Sequence, residues 1–440
     1  SQERMMVVVE KGHEQPFLVV FSKWGLTAVP CGEVLPQKSL IVLHHGGPVA
    51  KMPNQPLAND APDYDRAAEE PEYHKKRRHL SDADVEVIIS RSALEPADIL
   101  KQLLAHPSIA SKRAVFQQYD YLVRGDTVQG PGLSDAAVVR VPETGQGLAL
   151  ATDGPGRHTY IDPRLGGARA VLESARNVLA VGAKPLGITN CLNFGNPEKP
   201  DRMWQFVQAV EGMGEACREL ALPVTGGNVS LYNETGGESI LPTPVIGMVG
   251  LLEDWKRYMR NHTDAAGLEL FLLGSGSGRL DGSALAFDLG QLRTGELHGH
   301  NYDEFRRCAK FLQAAAVEGG IAACHDVSDG GLAVALFELC GSGCEVDIAG
   351  LVKSDYDVNQ HNVLATLFGE EGHRWIIAVE SGRKGWLRTA ALHYGAPLLP
   401  LGKSGGGFLT LRSGADAVIE ATMTQLSDVY EKSLQQLLQA

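Results

Sequence analysis

The sequence predicts an α+β (mixed α/β) protein of several domains, and three observations carry that prediction. Short apolar runs of strand length are interspersed with longer stretches of helical periodicity. Pro- and Gly-rich turns separate them, and Gly reaches 50 residues of 440. A segment at the start of the chain also recurs 370 positions later. With 44% hydrophobic residues and 21% charged, the chain is no small disulfide scaffold, disordered tail or fibrous repeat. Its length suggests roughly two to four domains. A net charge of −13 gives no support to a general nucleic-acid surface, although a local basic pocket stays compatible with it.

Taken in order, Met5-Met6-Val7-Val8-Val9 is a strand candidate, followed by a helix near 14–24. Gly25 closes that helix, because glycine accepts the left-handed cap. Further strands are expected near 26–30 and 39–43. Residues 53–80, with four prolines and the run Lys75-Lys76-Arg77-Arg78, read as a linker whose charges are solvated. A helix is expected at 97–106, strands near 136–141 and 147–152, and helices at 167–182 and 201–221. Strands near 223–225 and 244–251 precede a junction at 255–266. Helices are expected near 303–319 and 330–341, and the tail from 424 is one more amphipathic helix. The seven cysteines form no CxxC pair and read as thiols of a reducing compartment. No apolar run reaches the roughly 18 residues of a membrane helix, and no signal peptide is seen, so a cytoplasmic protein is expected.

The repeat has a consequence. Arg374–Gly382 matches Arg4–Gly12, and Gly395, Pro400 and Gly402 fall on Gly25, Pro30 and Gly32. The second copy ends a longer domain, whereas the first has nothing before it. The chain is therefore expected to begin inside a domain of a tandem-repeat parent. Exposed apolar surface is expected near 1–45, where a half domain lacks its partner strands.

Three stretches carry candidate chemistry. Asp153-Gly154-Pro155-Gly156-Arg157 follows an apolar strand and is either a plain turn or a phosphate-binding loop. In Gly187–Glu198, three asparagines and a glutamate suit turns and ligand contacts equally. In Thr225–Glu234, Gly226 and Gly227 allow close backbone approach. Asn228 offers a neutral oxygen to a hard cation, and Ser230 a hydroxyl to a phosphate; an ordinary hairpin turn is the alternative. Asp126 and Asp135 read as turn acceptors rather than magnesium ligands. Cys324–Gly331 reads as a turn into a helix rather than a hydrolase triad, and no zinc set has suitable spacing.

The segments Asn190–Glu198 and Gly227–Glu234 resemble the small, bacterial-type phosphoribosylformylglycinamidine synthase family, subunit PurL. So do Met203–Phe206, Pro242-Thr243-Pro244, His325–Gly331 and the opening Ser1–Met5. The likeness covers essentially the whole chain and only the C-terminal part of that enzyme. It implies tandem-duplicated ATP-binding-type and C-terminal α/β domains of the PurM-like superfamily. It also implies ATP and Mg²⁺ as cofactors, with formylglycinamide ribonucleotide converted to formylglycinamidine ribonucleotide. The implied partners are a glutaminase subunit PurQ, which delivers ammonia, and a small subunit PurS; no nucleic acid or membrane is implied.

The expected division is 1–52 as the end of the first half's second domain, a linker at 53–80 and an ATP-binding-type domain at 81–254. A PurM C-terminal-like domain at 255–423 and a helix at 424–440 follow. Residue by residue, Ser1 and Gln2 match the end of a Glu-Ser-Gln substrate-binding loop. Gly227 matches a glycine contacting ATP, Asn228 a Mg²⁺ ligand and Ser230 a substrate contact. Asn190 matches an ATP-contacting position that is usually Asp, keeping its hydrogen-bonding shape without the charge. The family's catalytic histidine and most of its Mg²⁺ carboxylates match nothing in this chain, so no catalytic residue is assigned and the chain alone is expected to be silent. The alternatives are a nucleotide- and partner-binding half-enzyme, and a related kinase of the aminoimidazole ribonucleotide synthetase or selenophosphate synthetase type. The repeat argues against such a kinase.

Overall fold

The computed structural model describes residues 4–92, 95–132, 134–276, 278–352 and 360–439. Ser1 and Gln2, the expected substrate contacts, lie outside the described residues. The chain divides into two compact units, one ending at Asp65 and the other starting at Arg66. Both mix helices and strands, as the α+β expectation requires.

The first unit holds helix Glu14–Lys23, the hairpin Ser39–His44 and Gly47–Pro53, and the short helix Asn54–Ala58. Its second-copy counterparts are helix Lys384–Tyr394 and the hairpin Phe408–Ser413 and Asp416–Thr422. Gly25 (φ 68°) and Gly395 (φ 63°) close the two helices in the left-handed conformation. Both hairpins have strands of six and seven residues. Counted from the turn, both are interrupted after the second rung, between Val42 and Leu43 and between Leu411 and Arg412. Shared bulges at one rung are structural evidence for duplication that short identities could not provide.

The expected strands near 5–9 and 26–30 are not strands. The counterpart of the first, Trp375–Val379, is held between strands Glu269–Leu273 and Ala323–Asp326. Among the described residues the first unit has no equivalent of either neighbour, and a lone strand leaves its backbone groups unpaired. Its apolar side chains stay open, with Met5 90% and Trp24 70% exposed, as the half-domain argument expects.

The second unit is built on two large sheets and also holds a two-stranded one, Glu234–Thr235 with Glu238–Ser239. The first runs Thr127–Gln129, Ala137–Val141, Gln146–Asp153, Thr243–Leu252, Lys184–Asn193, Val224–Ser230 in spatial order. Only its last pair is parallel. The second sheet has seven strands, with Trp375–Val379 and Glu269–Leu273 inside it and the hairpin Phe408–Thr422 at one edge.

Helix Pro163–Ala180 lies between the sheets. Asp162 caps it by accepting from Leu165 N at 3.0 Å, and every residue except Arg164 and Leu165 is buried. The alternation along Trp375–Val379 assigns Trp375, Ile377 and Val379 to the core that holds this helix, and Ile376 and Ala378 to the opposite core. A strand buried on both faces reads as the continuous apolar run seen in the sequence.

Apolar side chains of 80–88 and 99–109, expected to open the ATP-binding-type domain, pack instead into the core of the seven-stranded sheet. Helix Pro96–Ala105 lies against helices Gly331–Leu339 and Met423–Gln439, because its apolar stripe of Ile99, Leu100, Leu103 and Leu104 needs a partner surface. Residues 66–80 are packed rather than linker-like. His74 is buried, and Glu69 N donates to the Pro200 carbonyl. The basic run is consumed locally: Lys75 and Lys76 pair with Glu72, and Arg78 forks onto Asp84 at 2.6 and 3.0 Å. All seven cysteines are free thiols. Among the described residues no helix is long and apolar enough to cross a membrane.

Candidate functional site

The two Asn- and Gly-rich stretches meet as neighbouring strands. Lys184–Asn193 and Val224–Ser230 run parallel at one edge of the six-stranded sheet, pairing Asn190 with Gly227, Cys191 with Asn228 and Asn193 with Ser230. The turn alternative therefore fails for the core of both stretches; the sheet ladder organises their backbone. Glycine is required at 227 because a Cβ there would lie 1.9 Å from Asn190 Oδ1 and 2.3 Å from the Asn190 carbonyl oxygen.

Side chains alternate along a strand, so Asn190 and Gly227 share the face that carries Ile188 and Leu192. Asn228 and Ser230 project from the other face. The fold thus brings Asn190 and Gly227 together, and Asn228 and Ser230 together, on opposite sides of an exposed edge. On the Asn228 side, Gly226 has no atom within 4 Å of where a Cβ would stand, which leaves room for a ligand.

Beyond the strands a polar loop fixes Ser230. Its hydroxyl donates to Asn233 Oδ1 at 3.2 Å, and Asn233 Nδ2 donates to the carbonyls of Phe194 (3.0 Å) and Ser230 (2.9 Å). Glu234 accepts from Lys199 Nζ, Ser239 Oγ and Asn196 N. Lys199, then Ser239, holds the Glu234 carboxyl down at about 2.

As a cation site this edge is partial. Asn228 offers one neutral oxygen, whereas Mg²⁺ takes about six oxygen ligands in near-octahedral array. Among the described residues no group of three or more His, Cys, Asp or Glu side chains is placed to hold a metal ion.

The other candidate motifs went into structure. Gly156 starts a short helix, and a Cβ on Gly154 would meet Val245 Cγ2 at 3.0 Å, so close packing of strand Thr243–Leu252 explains the glycine. Arg157 is not available to a phosphate: it holds Glu370 (3.0 Å), Asp288 (3.2 Å), Asp329 (2.5 Å) and the Gly282 carbonyl (2.6 Å). Asp126 accepts from Arg140 Nε at 3.1 Å, and Asp135 accepts from Asp326 N at 2.8 Å, both as acceptors rather than metal ligands. Asp326 forks with Arg176 and is not part of a triad. His158 is buried without a hydrogen bond to its ring nitrogens, and burial pushes it well below its usual range. Sequence reasoning missed this charged layer, because its charged partners lie 131 to 213 positions apart.

One consequence is a pH dependence. Burial raises Glu338 from 4.5 to about 7, with His325 Nε2 at 3.6 Å opposing the shift. A carboxyl that holds its proton more tightly when folded stabilises most below its unfolded pKa, and that stability is lost as pH rises from about 4.5 to 7. Between pH 5 and pH 8 this group should cost the chain on the order of 1–2 kcal/mol, allowing for its partial exposure. Glu338→Gln should flatten that limb. Urea titrations at the two pH values measure it, and parallel behaviour of both proteins would contradict it.

Two family descriptions match this chain. "AIR synthase related protein, N-terminal domain" matches residues 133–252, and "AIR synthase related protein, C-terminal domain" matches residues 265–407. The chain is 39% identical over 444 residues to the phosphoribosylformylglycinamidine synthase subunit PurL of Moorella thermoacetica, covering 100% of this chain and 58% of that protein. It is 40% identical over 437 residues to the PurL subunit of Carboxydothermus hydrogenoformans, covering 99% and 58%. The chain thus spans 58% of the length of these relatives. Its fold is similar to T. maritima PurL complexed with FGAR, with a TM-score of 0.59, 16% identity, and 79% and 56% of the two chains covered. For T. maritima PurL complexed with ATP the corresponding values are 0.58, 15%, 80% and 56%.

Proposed function

Because the chain belongs to the AIR synthase related proteins and carries both of their domains in order, we propose that it is the C-terminal part of a phosphoribosylformylglycinamidine synthase, subunit PurL. The observation that carries this reading is identity near 40% across practically the whole chain, with the matching Asn and Gly motifs gathered on one sheet edge. In this reading the assembled enzyme converts formylglycinamide ribonucleotide to formylglycinamidine ribonucleotide in the cytoplasm, using ATP, Mg²⁺ and ammonia from a PurQ glutaminase with PurS in the complex. In this reading the two matched stretches, 133–252 and 265–407, are the two domains of one repeat, and residues 1–65 are the end of an earlier one.

ATP supplies the phosphoryl group that makes a poor amide oxygen leave, and magnesium neutralises its charge. This chain's residues contribute binding and orientation. Asn190 and Gly227 line the nucleotide side, Asn228 gives one oxygen to magnesium, and Ser230 meets the substrate, as do Ser1 and Gln2. A second reading, a half-enzyme that binds Mg-ATP without turnover, is favoured by the incomplete cation shell at Asn228.

Ammonia-dependent ADP release with formylglycinamide ribonucleotide tests the assignment, comparing a PurL-length protein with this chain. An active longer protein and a silent chain are expected. A silent longer protein would make the substrate wrong, and an active chain would overturn the account of the missing histidine. Asn228→Asp in the longer protein should change Mg-ATP affinity at least fivefold, since a carboxylate replaces a neutral ligand oxygen. Calorimetric titration reads this directly, and an unchanged affinity would remove Asn228 from the metal shell.

A further inference from the structure

We propose that a cavity walled by helix Pro163–Ala180 and the turn after strand Glu269–Leu273 binds a phosphate group, either as the free anion or carried by a small phosphomonoester. The cavity measures about 320 Å³, larger than a phosphate alone requires. Arg169 and Arg176 from the helix, Gly276 and Gly278 from the turn, and His373 line it.

The charge balance inside it is unfinished. The four carboxylates in its wall are already engaged: Glu304 accepts from Ser275 N (2.8 Å) and Ser275 Oγ (2.7 Å), Glu371 pairs with Arg279 Nε at 3.2 Å, Asp281 accepts from Leu80 N (3.1 Å) and Glu296 N (3.0 Å), and Glu296 lies 3.1 Å from His79 Nε2. The two helix arginines are not matched in the same way. Arg169 is only 8% exposed, yet it makes no hydrogen bond or ion pair among the described residues, and its Nε is shielded from water. Arg176 is 0% exposed; it gives Nε and Nη2 to Asp326 and leaves Nη1 unpaired. His373 Nδ1 is buried and unpaired as well.

A buried guanidinium without an anion is costly and is retained where a ligand completes it. Two guanidinium groups on one helix face, seven positions apart, match the oxygens of a phosphate better than a single carboxylate. The turn adds the backbone component. Gly276 (φ 106°) and Gly278 (φ 79°) hold positive φ, a conformation that glycine adopts without steric cost. No atom lies within 4 Å of the Cβ position at Gly276, so the backbone there is open to a ligand. The site uses none of Asn190, Gly227, Asn228 or Ser230, so it stands or falls apart from the proposed function.

The test uses the whole chain at constant ionic strength, with inorganic phosphate and ribose 5-phosphate as probes and sodium chloride as the control. Either phosphate probe should raise Tm saturably, and chloride should not. A markedly tighter response to ribose 5-phosphate identifies a phosphomonoester site, and an equal response identifies the free anion. Arg169→Met should raise the Tm of the unliganded chain, because an orphan charge is replaced by an apolar chain of similar length, and should weaken phosphate binding at least tenfold. Arg169→Lys should retain intermediate affinity, and serves if the methionine variant fails to fold. A wild-type chain whose Tm does not respond to either probe at 20 mM overturns the proposal. So does an undiminished response in the folded Arg169→Met protein, or in Arg169→Lys if the methionine variant does not fold.

Discussion

Asp326→Ala should destabilise the second unit by about 3–5 kcal/mol, the usual cost of stripping one partner from a buried ion pair. Asp326 is 1% exposed and Arg176 0%. Their contacts are short, Nε to Oδ1 at 2.5 Å and Nη2 to Oδ2 at 3.3 Å. The pair ties the helix between the sheets to strand Ala323–Asp326, and the Arg176 carbonyl also accepts from Trp375 Nε1 at 3.1 Å. Without Asp326 the guanidinium would keep, among the described residues, no anion within ion-pair distance except Glu173 at 4.0 Å. The double variant Arg176→Met with Asp326→Leu removes both charges and should recover most of the loss. Urea denaturation of the two proteins decides the matter. A loss below about 1 kcal/mol in Asp326→Ala would mean that water reaches the pair and the layer is not the dry joint described.

Gly212→Ala should be the second large effect, opposite in sign to helix propensity. Alanine in a helix interior is ordinarily worth about 1 kcal/mol over glycine. At 212, however, a Cβ would lie 1.8 Å from the Arg164 carbonyl oxygen and 3.1 Å from Ala168 N, all backbone atoms that cannot rotate away. Helix Pro200–Glu219 would have to move off helix Pro163–Ala180, opening the contact that buries Ala168, Ala209, Met213 and Ala216. A net loss of about 3 kcal/mol is expected, the upper end of ordinary overpacking. Gly214→Ala, two residues on, is the control. Its Cβ would meet only the flexible end of Arg218 at 3.1 Å, so stability should hold or rise. If both variants behave alike in thermal unfolding, propensity governs this helix and the close crossing does not.

The sequence made the elements legible where one pattern governed several residues together. The helix near 201–221 and the strand near 244–251 are found at Pro200–Glu219 and Thr243–Leu252. The candidate motif around Asn190 and Gly227 was legible as chemistry but not as geometry. Glycine and asparagine favour turns locally, and pairing on both sides, with Thr243–Leu252 and Val224–Ser230, draws residues 184–193 into a ladder. The segment 80–110 went to the other core for a similar reason, since its apolar stripe does not specify which surface it meets.

By itself the sequence determined the α+β class, most element positions, the internal repeat and the residue types that point to oxygen-ligand and phosphate chemistry. These follow from periodicity, turn chemistry and internal identity, all of which are properties of the chain read along its length. Tertiary structure alone decided which asparagine faces which side of the sheet, why 227 and 212 must be glycine, and that Arg157 is consumed while Arg176 keeps one nitrogen unpaired and Arg169 has no partner among the described residues. Those outcomes depend on carboxylates and backbone atoms far away in sequence and brought close by packing. Burial raises the cost of every unpaired charge, and so determines which residues remain open to a ligand.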